Sequence, residues 1–156
     1  MIVEWSPRRY ETDDPLFGAY WCSYHGEWEL KAPPADVPPY GNSDLGKVMR
    51  MAEKHAGRQL TWTPSSYSAS FRNIEMEVQR HVLDGSDVWE WTVSVSREGR
   101  ALGVRDVCLV GWERTLNGAR DTAIAAAEFV RDHMEEIDHL PARDAAKRSG
   151  SEEEQR

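Results

Sequence analysis

The sequence predicts an α+β fold: a three- to five-stranded antiparallel sheet with two helices packed on one face, in the order leader–α–β–β–β–α. Three observations predict it. Two stretches, near 45–56 and 124–137, carry apolar residues at helical spacing. Between them, residues 74–82 and 89–96 alternate apolar and polar side chains, the period of a half-buried strand. Asp84-Gly85 separates these two runs and Glu98-Gly99 follows the second, and both dipeptides suit hairpin turns.

Residues 1–42 form a leader containing Pro7, Pro15, Pro33, Pro34, Pro38 and Pro39. Its eight aromatic residues are too many for a disordered tail. It is expected to pack on the domain, with a strand or hairpin around residues 20–30 and a polyproline-like connection at 32–40. The core spans 43–140. Its first helix is expected to start at Ser43 as cap with Asp44 in the first turn, to bury Leu45, Val48, Met49, Ala52 and Ala56, and to end at Gly57. A short strand is expected at 60–62, followed by a break at Pro64, Ser65 and Ser66. In the next strand Ile74, Met76, Val78 and Val82 share a side, and Arg80 is an anomaly on it. Trp89, Trp91, Val93 and Val95 then share the apolar side of their strand, and a third strand falls within 104–112. The second helix is expected to start near Thr115 or Asn117, with Ile124, Ala127, Val130, Met134 and Ile137 buried and Pro141 stopping it. Residues 141–156 have no apolar face and read as a disordered or frayed acidic tail. No internal repeat is visible.

A chain of 156 residues suits one domain and buries enough surface to need neither disulfide nor metal. Cys22 and Cys108 lack any C-x-x-C spacing and read as reduced thiols. Glu4 and Trp5 interrupt any apolar leader, and residues 123–130 are too short to span a bilayer, so a soluble cytoplasmic protein with no membrane partner is expected. Net charge is −8. Residues 1–40 carry three basic and seven acidic groups, 41–116 ten of each, and 117–156 six and ten. No basic footprint is concentrated anywhere, which disfavours nucleic acid as a partner.

The helix, three strands and helix share their coarse order with double-stranded-RNA-binding domains. That resemblance implies a basic cluster at the start of the last helix, where this chain has Asn117-Gly118-Ala119-Arg120-Asp121. The hairpin and Ala-rich helix of residues 89–130 are similar to the core of small antitoxins that pair with mRNA-cleaving toxins.

The residues offer little catalytic signal. Asp132, Glu136 and His139 fall on one helical face, with His133 beside Glu136; His133, Glu136 and His139 are the candidate metal ligands, although a solvated face is the expectation and no metal or cofactor is expected. Cys22 and His25 are near in sequence, but on one strand their side chains would point to opposite faces. Glu75 and Glu77, with Glu90, are read as solvated carboxylates. No G-x-S-x-G, Walker or G-x-G-x-x-G motif occurs. The compositional excess is tryptophan, at seven residues.

The expected function is therefore that of a small intracellular accessory protein, more a binder than an enzyme. It would bind a protein partner through an acidic, aromatic-rich surface, as an inhibitor or antitoxin-like module does. Tyr20, Trp21, Tyr24 and Trp28 would be the anchors, with Asp13, Asp14 and Glu27 complementing a basic partner. One alternative is a nucleic-acid-binding module using Arg97, Arg100, Arg105, Arg114 and Arg120. Another is a small hydrolase using Glu and His groups.

Overall fold

The computed structural model describes residues 2–95 and 106–133. Among these residues, a run of four strands and a helix occurs twice. The first set is β1 (Ser6–Thr12), β2 (Gly18–Cys22), β3 (Glu27–Lys31), β4 (Gly41–Asn42) and α1 (Leu45–Ala56). The second is β5 (Trp62–Phe71), β6 (Ile74–Leu83), β7 (Ser86–Val95), β8 (Asp106–Glu113) and α2 (Leu116–Asp132). The strands form one antiparallel sheet in the order β4-β3-β2-β1-β5-β6-β7-β8. This corrects the expected fold: the sheet has eight strands rather than three to five, α1 is followed by four strands rather than three, and the leader supplies four strands of its own. The order shared with double-stranded-RNA-binding domains is therefore not the order of this chain.

The described residues group into two compact units, one of Trp5–Ser68 and one that joins the residues up to Glu4 with the chain from Ala69 onward. In the first, β1 owes its conformation to backbone pairing on both sides, with β2 (Tyr10↔Ala19) and with β5 (Tyr10↔Pro64). Its register shifts between Pro7 and Arg9 and again between Arg9 and Tyr10. Irregularities of this kind accommodate prolines that cannot donate to a ladder. That is why β5 runs through Pro64, Ser65 and Ser66, where a break was expected.

Helix α1 is capped by Asp44, not Ser43: the Asp44 carboxylate accepts from the Gly46 amide at 2.9 Å. Gly57 ends the helix at φ 71°, as expected, and donates to the Glu53 carbonyl. The helix buries Val48 and Ala52 and packs on β2, β3 and β4. Phe17, Ala52 and Leu60 form the dry centre, with Leu30, Ala32, Ala56 and Trp62 around it. Charged groups pin the surrounding chain. Glu53 Oε2 accepts from the Leu60 amide at 2.7 Å, and Asp13 accepts from the Thr61 amide at 3.0 Å and from Arg58 at 2.9 Å.

In the second unit, β6 and β7 pair continuously from Ile74↔Val95 to Leu83↔Ser86. Their turn is the expected Asp84-Gly85, at φ 51° and 77°. Two left-handed residues make the turn that matches sheet twist. Alternation places Ile74, Met76, Val78, Val93 and Val95 on one face, all buried, and α2 covers it with Ala119, Ala123, Ala127 and Val130. Alanines four apart let the helix axis approach the strands closely. The expected stripe included Ile124, which is only half-buried; Met134 and Ile137 lie outside the described residues. Thr115 is the N-cap, accepting from Gly118 at 3.0 Å. Arg80, the anomaly on the apolar side, reaches Asp87 at 3.3 Å. Gly111 sits mid-strand opposite Trp91, whose indole occupies the space a Cβ would need.

Candidate functional site

The closest convergence of metal- and proton-binding side chains among the described residues is in the β2–β3 turn. Cys22 is the last residue of β2. The chain then reverses through Gly26, whose φ of 64° favours glycine and whose amide donates to the Cys22 carbonyl at 2.9 Å. This reversal swings His25 back over the strand end. His25 Nδ1 lies 3.4 Å from Cys22 Sγ and 2.7 Å from Glu29 Oε1. Cys22 and His25, expected on opposite faces if on one strand, are instead brought together by the turn. Tyr20 is the cross-strand partner of Glu29. The Tyr24 ring meets the imidazole edge-on at 5.0 Å.

Glu29 is held below the usual carboxylate range, first by the hydrogen bond from His25 and then by that from Tyr20. Tyr20 is pushed up, chiefly by the same bond to Glu29 and then by burial. A groove of about 380 Å³ opens beside the cluster, lined by Tyr20, His25, Glu27, Glu29, Tyr40 and Gly41 among others. The Glu27 carboxylate lies directly against Gly41, in the space a Cβ there would take.

This geometry does not make a nucleophilic triad. A relay needs the thiol on one ring nitrogen and the acid on the other. Here Sγ and Oε1 both address Nδ1, so a single proton cannot pass from thiol to acid through the ring.

The expected partner-binding residues divide. Tyr24 is 90% exposed at the turn and Tyr20 is 38% exposed. Trp21 and Trp28 are cross-strand partners that pack edge-on at 5.7 Å, with Tyr10 against Trp28 and the Arg8 guanidinium over Trp21. Those indoles cover their own sheet. Asp13 is committed to Thr61 and Arg58, and Asp14 accepts from the Leu16 amide at 3.0 Å. Of the arginines weighed for nucleic acid, Arg97, Arg100 and Arg105 lie outside the described residues, Arg114 is exposed and Arg120 is half-buried. Of the three weighed as metal ligands, Glu136 and His139 lie outside the described residues. His133 caps α2, with Nδ1 2.8 Å from the Phe129 carbonyl and its ring stacked on Phe129 at 4.1 Å.

A second surface escaped the sequence reading. On the face of β6–β8 that α2 does not cover, Glu77, Thr92 and Val110 form one cross-strand row and Gln79, Glu90 and Trp112 the next. Val110 is 51% exposed and Trp112 50%. The His81 ring lies 5.0 Å from that of Trp112, and a groove of about 530 Å³ runs along Val88, Trp112, Glu113, Arg114 and Thr115. The alternation of β8 was blurred by Gly111, so Val107, Leu109, Val110 and Trp112 were read together as apolar content. Pairing opposite Glu90 and Thr92 is what assigns Val110 and Trp112 to the uncovered side. No protein-family model matches the chain, and neither the curated proteins nor the solved structures include a detectably similar one.

Proposed function

We propose that this chain works by binding a protein partner, and that the docking surface is the uncovered face of β6–β8 rather than the tryptophans of the leader. One observation carries the reading: Val110 and Trp112 stand half-exposed and adjacent on a face that also carries His81, Leu83 and Val88 among its Glu, Gln, Ser and Thr residues. Large rings at the centre of a polar surround are the usual anchors of a protein interface. The groove beside Trp112 offers room for a partner side chain. Glu75, Glu77 and Glu90 on the same face, with a net charge of −8, fit a basic segment and would speed its encounter.

A photo-crosslinking residue at Val110 tests this. It is expected to form a discrete adduct with another protein in cell extract, and Trp112→Ser should abolish that adduct. The same crosslinker at exposed Lys47 on α1 should give none. Equal adducts at both positions, or adducts only between copies of this chain, contradict the reading. Once the partner is in hand, Trp112→Ala should weaken binding by about 30-fold or more, the effect of removing an interface anchor worth about 2 kcal/mol.

A further inference from the structure

We propose that Cys22, His25 and Glu29 bind a zinc-class divalent cation, with Tyr20 orienting the carboxylate ligand and one coordination position left open toward the neighbouring groove. The inference is independent of the docking surface, since none of the four residues lies on β6–β8.

Sγ, Nδ1 and a Glu29 oxygen all lie within 4.8 Å of one another. Bonds of about 2.0–2.3 Å from a tetrahedral ion place its ligands roughly 3.3–3.8 Å apart. The Cys22–His25 separation of 3.4 Å already meets that requirement. The His25–Glu29 separation of 2.7 Å is a hydrogen bond, and it must open by under about 1 Å for an ion to replace the shared proton. The property that excludes a relay favours coordination: thiol and carboxylate both approach the same ring nitrogen, which gathers the three ligand atoms within 4.8 Å of one another.

The donor set also selects the ion. Thiolate, imidazole and carboxylate together suit zinc, whereas calcium and magnesium take oxygen ligands. Binding is a proton exchange without redox change. The thiol proton leaves to solvent as Sγ bonds the ion, and the imidazole proton moves from Nδ1 to Nε2. Tyr20, the cross-strand partner of Glu29 and a lining residue of the same groove, supplies the outer contact that holds a ligating carboxylate in place. Three protein ligands leave a position for water or a small anionic ligand, and the groove of about 380 Å³ is where it would enter.

Cobalt(II) titration of the full chain tests the proposal. The wild type is expected to bind one equivalent, with a thiolate-to-cobalt charge-transfer band and intense visible bands of tetrahedral type, all bleached by zinc. Cys22→Ser should remove the charge-transfer band, Cys108→Ser should leave it, and His25→Ala or Glu29→Gln should weaken binding by more than tenfold. Tyr20→Phe, which keeps every ligand, should weaken it by about tenfold without moving the bands. A measurement that needs no variant is the nitrogen-15 spectrum of the histidines. On adding zinc, one of the five histidines should shift at Nδ1 and retain a protonated Nε2. Absence of the bands, bands that survive Cys22→Ser, or a zinc response spread over all the histidines would each overturn the proposal.

Discussion

Helix α2 lies on its strands through alanines with no exposed surface, whereas α1 sits in a unit whose small dry centre is ringed by partly buried Leu30, Ala32, Ala56 and Trp62 and tied by charged clamps. Both helices follow four strands, so the contrast is not one of element order. It is one of what fills the interior. The later unit excludes water with Ile74, Met76, Val78, Val93 and Val95, a flat wall with no polar side chain among them. The earlier unit closes round a smaller dry centre and ties its loops with Asp13, Glu53 and Arg58. A wall of that kind leaves no place for chemistry on its covered side, and the proposed interaction surface lies on the other face. A unit held by loops and ion pairs can shape a turn, and its turn is where thiol, imidazole and carboxylate meet.

The largest test of this contrast is Met76→Ala. It should cost about 2–5 kcal/mol in urea unfolding, because a dense wall cannot collapse around the lost volume. A cost near zero would break the comparison. Ala123→Leu should cost about 1–3 kcal/mol by forcing α2 off the strands, while Ala125→Leu on the exposed side of the same helix should change stability by less than about 0.5 kcal/mol. In the earlier unit, Glu53→Ala removes no apolar volume of note yet should cost about 1–3 kcal/mol, because the Leu60 amide loses its acceptor. Faster hydrogen exchange at Leu60 would locate the effect.

The smallest expected effect is electrostatic. Asp13 is held below its ordinary value, first by the Thr61 amide and then by Arg58. A depressed carboxylate stabilises the fold fully above its unfolded pKa and loses that contribution as pH falls through its folded value. Asp13→Asn should therefore lower the unfolding midpoint at neutral pH, and the difference from wild type should close between about pH 5 and pH 2. A constant difference across that range would show that Asp13 acts through packing.

These differences also govern what could be read from the chain. The β6–β7 hairpin was legible because one face is buried and the turn needs two left-handed residues, which leaves both an alternation and Asp84-Gly85 as marks. Helix α1 was legible from its spacing and Gly57, though its cap shifted from Ser43 to Asp44. Strands β1 and β5 were not legible. Their conformation comes from pairing with each other, through register shifts that absorb Pro7 and Pro64, and local sequence carries no trace of a distant backbone partner. The strand count failed for this reason. The turn cluster was missed because Cys22 and His25 were placed on one continuous strand; Gly26, four residues after Cys22, was the available sign that the chain reverses there. Trp21 and Trp28 pack edge-on against each other, which a count of rings in the composition does not show.

The half-exposure of Trp112 has an optical consequence. An indole half in solvent emits at longer wavelength than one sealed in a protein interior. Trp112 therefore serves as a built-in lamp on the proposed contact face, shifted toward the blue when another molecule covers the ring.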